Sequence, residues 1–356
     1  MKNTYFTAGP AQMYPTFEKH LQTALNEQLG SISHRSQKFR DIYKFTVEQL
    51  RQLMNIPDTH GIFFAGSASE IWERILLNCV EHESFHLVNG SFSKKFYEYA
   101  VSLRKYAHLL EKPFGQGFDY AEIEVPEYAE VICATQNETS AGVQMREADI
   151  HKLKRSNAKK LIAVDMVSSA PHPALDFSVV DTAFFSVQKA FGLPAGLGVW
   201  IANDRCLTKA ERLQKYEDNS IGAHHNLPVL WKNYEKYETP ATPNVLLIYL
   251  LGKIAEDLNQ IGAETVRKET EDKAKMIYKF LENSDLYNPF VKEDRHRSRT
   301  VIVANCQKPS ADIIAQVKKQ GMIVGSGYGA FKDSQIRIAN FPATSIEQVE
   351  ALLKVL

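Results

Sequence analysis

The feature that most constrains the fold is a series of short apolar runs, each followed at once by polar turn residues. The runs are GIFFAG (61–66), FHLVNG (85–90), EVICATQNE (130–138), KLIAVDMVS (160–168) and DTAFFSVQK (181–189). Segments with apolar residues at helical spacing lie among them, such as SASEIWERILLNCV (67–80). Buried strands joined by helices are typical of a mainly parallel sheet. The sequence therefore predicts an α/β fold with helices on both faces of the sheet.

A second, smaller unit is predicted near the C-terminus. After YETPATPN, two helical stretches at about 245–260 and 264–282 read as a connector. Strand, helix, strand and helix then follow in RTVIVANC, SADIIAQVKKQG, QIRIAN and SIEQVEALLKVL. We therefore expect a large domain over residues 16–245 and a small α+β domain over 246–356, with the N-terminal segment 1–15 packing near the small domain.

Composition excludes several classes of protein. The 356 residues include 42 Lys+Arg and 42 Asp+Glu without a basic run, which argues against nucleic acid as a partner. The longest apolar stretch, 245–251, is too short to span a bilayer, and the N-terminus leads into no signal-peptide core. The four cysteines are widely spaced, as in reduced proteins of the cytoplasm. We therefore expect a cytoplasmic protein with no membrane partner.

Two chemically useful residues end neighbouring apolar runs. Asp165 ends LIAVD, and Lys189 follows Gln188 at the end of AFFSVQK. In such sheets ligands bind beyond the carboxyl ends of the strands. A strand-end lysine that is buried without a partner has a lowered pKa and can act as a nucleophile. The alternatives are a lysine that reaches out to solvent and a plain salt bridge between the two residues.

Other residues expected at the same edge would complete a binding site. Ser67 and Glu70, three residues apart, form a predicted capping box at a helix N-terminus, where Ala68 and Ser69 could present N–H groups to a phosphate. Simple helix capping also explains that pattern. Phe92 follows a strand and is a stacking residue or merely a core or lid residue. TQNET brings Asn137, Glu138 and Thr139 to this edge. A phosphate cup, a flat apolar ring, a carboxylate and a lysine are together what pyridoxal phosphate requires.

The sequence resembles the fold-type-I pyridoxal-phosphate enzymes of aminotransferase class V, and most closely the phosphoserine aminotransferases. The resemblance runs nearly end to end. It rests on FTAGPAQMYP, SISHRSQKF, QNETSAGV, AVDMVSS, VQKAFGLPAGL, YETPATP, HRSRTVIV and QIRIANFPATS. It implies a mainly parallel sheet of the seven-stranded type, a pyridoxal 5'-phosphate cofactor, amino-acid and 2-oxo-acid substrates, and a homodimer that shares its active sites.

The resemblance also implies roles for individual residues. Lys189 would form the Schiff base with the cofactor and carry protons, and Asp165 would partner the pyridine nitrogen. The remaining implied cofactor ligands are Phe92 on the ring, Thr139 beside the phenolic oxygen, and Ala68, Ser69, Gln188 and the neighbouring subunit's copy of Thr239 on the phosphate. The implied substrate ligands are Arg337 for the α-carboxylate and, from the neighbouring subunit, the copies of His34 and Arg35 for the side-chain anion.

The sequence departs from the phosphoserine pattern in two places. Glu238 stands where that family usually has asparagine. The His-Arg pair that usually precedes the carboxylate-binding arginine is absent from GSGYGAFKDSQIR, where only Lys332 is basic before Arg337. The Gly-rich GSGYG resembles instead a loop of alanine–glyoxylate and serine–glyoxylate aminotransferases.

Three functions therefore stay open from the sequence. They are phosphoserine:2-oxoglutarate aminotransferase in serine biosynthesis, another class V aminotransferase such as an alanine– or serine–glyoxylate enzyme, and a non-catalytic α/β binding protein. No metal is expected, because the adjacent His224 and His225 lack a third ligand at metal spacing.

Overall fold

The computed structural model describes residues 3–215 and 221–356. Its strands are β1 Thr4–Phe6, β2 His60–Ala65, β3 Glu83–Val88, β4 Tyr106–Glu111, β5 Val131–Thr135, β6 Asn137–Glu138, β7 Val143–Gln144, β8 Leu161–Asp165, β9 Thr182–Ser186, β10 Gly198–Asn203, β11 Tyr287–Pro289, β12 Val301–Cys306, β13 Met322–Ser326 and β14 Gln335–Ala339. Its α-helices are α1 Phe17–Asn26, α2 Gln37–Met54, α3 Ala68–Cys79, α4 Ser91–Ser102, α5 Glu147–Ser156, α6 Asp204–Leu213, α7 Leu227–Tyr234, α8 Val245–Ile261, α9 Ala263–Glu282, α10 Ser310–Lys319 and α11 Ile346–Leu353.

The larger sheet has the strand order β2-β10-β9-β8-β5-β3-β4 within the described residues. The five strands from β9 to β4 run parallel, whereas β10 is antiparallel to both of its neighbours. Every residue of β5, β8, β9 and β10 is buried, which explains their nearly continuous apolar sequences. The predicted α/β class with a mainly parallel sheet is confirmed.

Helices cover both faces of this sheet. On one face, α2 and α8 pack together in the largest apolar cluster, which includes Tyr43, Leu50 and Ile248. On the other face, α3, α4 and α6 contribute to a second cluster that contains Trp72 and Phe96. Both faces are thus closed to water, and the carboxyl edge of the parallel strands is left as the place where polar side chains gather.

A smaller sheet has the strand order β1-β13-β14-β12-β11. The N-terminal strand β1 runs parallel to β13, so Thr4–Phe6 lies on this sheet. Helix α9 packs against β11 and β12, and α10 packs against β13. The division at residue 245 stays a prediction. Because α8 packs in the larger core, a boundary after Ile261 would keep this helix with the larger sheet.

The structure contains neither a membrane helix nor a metal cluster in the part of the chain that it describes. Within residues 3–215 and 221–356, no helix is both long and apolar enough to cross a bilayer. The same residues contain no group of three His, Cys, Asp or Glu side chains arranged to hold a metal. The ring centroids of His224 and His225 lie 5.2 Å apart, and Arg74 Nε donates to His225 Nδ1 at 3.3 Å.

Candidate active site

A pocket lies at the carboxyl edge of the larger sheet, where the sequence predicts one. It brings together the ends of β5, β8 and β9, the N-termini of α3 and α4, and the turn after β9. Its lining residues are Ser67, Ala68, Ser69, Trp72, Phe92, Thr135, Asn137, Thr139, Asp165, Val167, Ser186, Gln188 and Lys189. All the predicted cofactor ligands except Thr239 therefore lie around one cavity.

Asp165 is the last residue of β8 and is only 3% exposed. Its Oδ2 accepts the Trp72 Nε1–H at 3.1 Å, and its Oδ1 accepts the Val167 N–H at 3.0 Å. Burial raises the pKa of Asp165 to about 7, although both hydrogen bonds oppose that shift. The negative charge of Glu138 raises the pKa further, and the positive charge of Lys189 lowers it. A cation placed against this carboxyl group would favour its ionised form.

Lys189 lies in the turn after β9 and is partly buried. Burial lowers its pKa to about 8, the positive charge of Arg337 lowers it further, and Asp165 partly opposes the shift. The Lys189 Nζ donates to the carbonyl oxygen of Ala8 at 2.5 Å. The lowered pKa makes the deprotonated form, which acts as a nucleophile or accepts a proton, more accessible near neutral pH than in an ordinary lysine.

The N-terminal segment covers Lys189, which the sequence analysis did not foresee. Gly9 has φ +126°, and a Cβ at this position would lie 2.3 Å from Lys189 Nζ. Only glycine therefore allows the segment to pass so close to the lysine. The signal in the sequence is the Ala-Gly-Pro of FTAGP, but its spatial partner, 180 residues away in the chain, is set by the tertiary structure.

The N-terminus of α3 forms one wall of the pocket. The Ser67 hydroxyl accepts the Glu70 N–H at 3.2 Å, and the Ala68 N–H donates to the Ser186 hydroxyl at 3.1 Å. The predicted capping box is wrong in its second half, because the Glu70 carboxylate accepts the N–H of Gly66 at 2.7 Å and pairs with Arg74. The helix dipole and the hydroxyl groups at this end suit a phosphate.

Thr139 and Phe92 also line the pocket. The Thr139 hydroxyl donates to Ser168 Oγ at 2.7 Å, and Asn137 Nδ2 donates to the same oxygen at 2.7 Å. The Phe92 ring lies 5.5 Å from the ring of Tyr328, centroid to centroid. Thr139 and Phe92 thus present a hydroxyl and an aromatic face within one cavity.

Arg337 brings the smaller sheet to the site. It lies on β14, its Nε donates to the Ser326 carbonyl at 2.8 Å, and its Nη1 lies 3.5 Å from the Thr139 carbonyl oxygen. Its guanidinium carbon is 5.4 Å from the ring centroid of Tyr328. Burial lowers the pKa of Arg337, and the charges of Tyr328 and Glu138 oppose this. A partly buried cation next to the pocket suits a substrate carboxylate.

The three residues predicted to act in a neighbouring subunit do not line this pocket. His34 and Arg35 lie in the turn before α2, and Arg35 is exposed. Thr239 lines a separate cavity of about 320 Å³ together with Gly66 and Glu238. The Thr239 hydroxyl oxygen is buried and has no hydrogen-bond partner among the described residues. Their action across a dimer stays a prediction.

Glu238, one of the two departures from the family pattern, has a partner in this chain. Its Oε1 accepts from Arg40 Nε at 3.0 Å and from Arg40 Nη2 at 2.5 Å. This pairing on α2 explains how a carboxylate can stand beside Thr239 without being left as a lone buried charge.

Several site residues were missed by sequence reasoning. Trp72 lies on α3, one turn after its start, and donates a hydrogen bond to Asp165. Ser168 accepts a hydrogen bond from Thr139, and Ser186 accepts one from the Ala68 N–H. Trp72 and Ser168 read as ordinary helix and turn residues in the sequence. Only the packing of α3 over β8 and β9 shows what they contact.

The residues of the pocket fit pyridoxal phosphate. Asp165 is a buried carboxyl group whose ionisation calls for a cation opposite it. The hydroxyl-rich N-terminus of α3 suits a phosphate, Phe92 offers a ring face, and Lys189 offers a partly deprotonated amine.

Comparisons with known proteins agree with this geometry. The family model described as aminotransferase class-V matches residues 115–352. The phosphoserine aminotransferase of Rhodococcus opacus (strain B4) is 25% identical over 98% of this chain and 93% of its own length. The crystal structure of a phosphoserine aminotransferase from Cytophaga hutchinsonii superimposes with a TM-score of 0.97 at 48% identity, and covers 99% of this chain and 98% of that one. An alanine–glyoxylate aminotransferase from Nostoc sp. shares the fold, with a TM-score of 0.82 at 18% identity over 100% of this chain and 95% of that one.

The fold and the site thus define an enzyme of the pyridoxal-phosphate transferase type. The chain belongs to the class-V aminotransferase family. It is a pyridoxal-phosphate-dependent transaminase, with an amino acid and a 2-oxo acid as substrates. The alternative of a non-catalytic binding protein is wrong.

Proposed function

We propose that this transaminase exchanges the amino group between phosphoserine and 2-oxoglutarate, in the cytoplasm and as a homodimer. The observation that carries the chemistry is the meeting of Lys189 and Asp165 in one pocket with the N-terminus of α3. The phosphoserine aminotransferase from Cytophaga hutchinsonii, at 48% identity over almost the whole chain, supports the substrate. The role in serine biosynthesis is part of the same proposal.

In this proposal each pocket residue has a stated task. When bound, pyridoxal phosphate supplies an aldehyde for covalent attachment of an amine and a ring that accepts electrons from the substrate α-carbon. Asp165, held by Trp72 and Val167, keeps the ring nitrogen protonated. Lys189 would hold the cofactor through its amine and would move a proton to or from the substrate α-carbon. Its lowered pKa suits both tasks.

The remaining residues of the pocket would hold and orient the cofactor. Phe92 would pack on the ring, and Thr139, itself fixed by Ser168, would bind near the phenolic oxygen. The phosphate is held by the backbone at Ala68 and Ser69, by the side chain of Gln188, and across the dimer by the neighbouring subunit's copy of Thr239. The unpartnered hydroxyl of Thr239 supports a contact outside its own chain.

Substrate recognition divides between two sets of residues. Arg337 binds the α-carboxylate as a bidentate fork. The neighbouring subunit's copies of His34 and Arg35 bind the phosphate of the side chain, with help from Lys332, which is exposed at the start of the turn before β14. His34, Arg35 and Arg337 lie in segments that resemble the family, which is the support for their roles, whereas Lys332 lies in the segment that departs from it.

One observation favours a second candidate, an alanine– or serine–glyoxylate aminotransferase. Where the phosphoserine family usually has a basic pair, Phe331 packs against Phe114 and Phe290, with centroid distances of 5.7 and 5.2 Å. An aromatic cluster does not bind a phosphate dianion. The alanine–glyoxylate aminotransferase from Nostoc sp. shares the fold.

A half-reaction screen tests the two candidates. The purified protein is loaded with pyridoxal phosphate, and its absorption spectrum is followed as phosphoserine, glutamate, alanine and serine are added one at a time. We expect phosphoserine and glutamate to convert the cofactor at the lowest concentrations. Conversion by alanine or serine, with glyoxylate as acceptor and no response to phosphoserine, would refute the phosphoserine assignment and favour the second candidate.

A further inference from the structure

A buried carboxylate next to the pocket has no role in the chemistry described above. Glu138 is 0% exposed and lies between Asn137 and Thr139. Its Oε2 accepts the backbone N–H groups of Phe92 at 3.1 Å and Ser93 at 2.8 Å, and the Ser93 hydroxyl at 2.8 Å. Its Oε1 accepts the Ser140 N–H at 3.1 Å and the Ser140 hydroxyl at 2.7 Å.

These contacts join two walls of the pocket. Phe92 is the second residue of α4, and Ser140 directly follows Thr139. The Ser91 N–H also donates to the Ser140 hydroxyl at 2.9 Å. A carboxylate at the start of a helix is stabilised by the free N–H groups and the helix dipole. Glu138 therefore fixes the start of α4 to the loop that carries Thr139.

The Glu138 side chain is closely packed against Gly90. A Cβ at Gly90 would lie 2.3 Å from Glu138 Cγ and 2.4 Å from its Cδ. Any larger residue at position 90 would push the carboxylate away from the helix. The glycine of LVNGSF is thus explained by close packing, not by a special backbone angle.

We propose that Glu138 is a positioning residue that fixes Phe92 relative to Thr139, and so the placement of the aromatic face and the hydroxyl group that would hold the cofactor ring. The inference rests on the proposed roles of those two residues. This role needs the carboxylate of Glu138, because both of its oxygens accept N–H groups. A glutamine amide would have to turn its NH2 group toward the Ser140 N–H or toward the Phe92 and Ser93 N–H groups. Either orientation sets donor against donor and releases one wall.

The test compares Glu138→Gln with a matched control, Glu130→Gln. Glu130 precedes β5 at the opposite edge of the sheet, and its carboxylate also accepts three backbone N–H groups, those of Glu81, His82 and Glu83. Two measurements are made on each variant: the dissociation constant for pyridoxal phosphate, and amide hydrogen exchange of the cofactor-free protein. Glu130 is partly buried and also pairs with Lys209. The control thus reproduces the loss of carboxylate hydrogen bonds to backbone N–H groups away from the pocket.

We expect Glu138→Gln to weaken pyridoxal phosphate binding by about tenfold, the size expected for one lost charge-assisted hydrogen bond. Amide exchange should speed up at Phe92, Ser93 and Ser140. In Glu130→Gln, exchange should speed up only at residues 81–83, with cofactor affinity unchanged. If Glu138→Gln fails to fold, Ser93→Ala and Ser140→Ala, which each remove one hydroxyl donor, should show smaller changes in the same direction.

Each contrary outcome has a distinct meaning. Equal loss of affinity in both glutamine variants, or faster exchange around α4 without weaker binding, would overturn the positioning role while leaving the proposed function intact. A wild-type protein that binds no pyridoxal phosphate would overturn the proposed function, and the role of Glu138 toward a cofactor ring with it.

Discussion

Replacing Asp165 with asparagine should separate stability from activity. In the cofactor-free protein, burial raises the pKa of Asp165 from an ordinary value of 3.8 to about 7. Between these two pH values the folded protein keeps a proton that the unfolded chain has lost, so its free energy of unfolding falls as the pH rises. At 1.36 kcal/mol per pKa unit, the full effect is at most roughly 4 kcal/mol by pH 8.

Asp165→Asn removes this titration. The variant should therefore gain stability relative to the wild type as the pH rises from 5 to 8. The amide cannot accept from both Trp72 and Val167, which costs about 1–3 kcal/mol at every pH. The assay compares the difference in free energy of unfolding between wild type and variant at the two pH values. The constant cost is the same at both and cancels, and so do the contributions of the other titrating groups.

The assay is denaturant unfolding of both cofactor-free proteins at one protein concentration, at pH 5 and pH 8, together with a transamination assay of the loaded enzymes. We expect the variant to be crippled in turnover, because a neutral amide cannot stabilise a protonated ring nitrogen. A stability difference that does not change with pH would refute the burial argument for Asp165. Near-normal turnover of the variant would refute its assigned role.

Three further predictions concern the lysine, the segment that covers it and the substrate arginines. Lys189→Ala should abolish the visible absorption band of the loaded protein, and a band that survives would assign the covalent link to another residue. Gly9→Ala should cut the turnover rate at least about tenfold, since its Cβ would collide with Lys189. Gly262→Ala, also at positive φ but with no atom closer than 3.7 Å, should leave turnover unchanged. Arg35→Ala should raise KM for phosphoserine by the equivalent of about 2–5 kcal/mol and leave the turnover of alanine and serine almost unchanged. Arg337→Ala should instead impair the turnover of all amino-acid substrates alike. Equal effects of both variants on every substrate would contradict the phosphate role of Arg35.

The sequence by itself determined the elements of the fold. The apolar runs that end in Asp165 and Lys189 are confirmed as β8 and β9 with the turn that follows, and the stretches near 245–260 and 264–282 are confirmed as helices α8 and α9. These features are local, because the spacing of apolar residues along the chain decides between helix and strand. The pocket residues Asp165, Gln188 and Lys189 were also readable, because they lie at or just after strand ends.

Only the tertiary structure decided what those side chains contact. Trp72 against Asp165, the Ala8 carbonyl against Lys189, and Glu138 against Phe92 all join residues far apart in sequence. The pKa values of Asp165 and Lys189 follow from the same packing, since burial is their largest cause. Local patterning fixes which face of an element is buried, whereas the partner across that face depends on how distant elements dock, and no periodicity in the sequence encodes that.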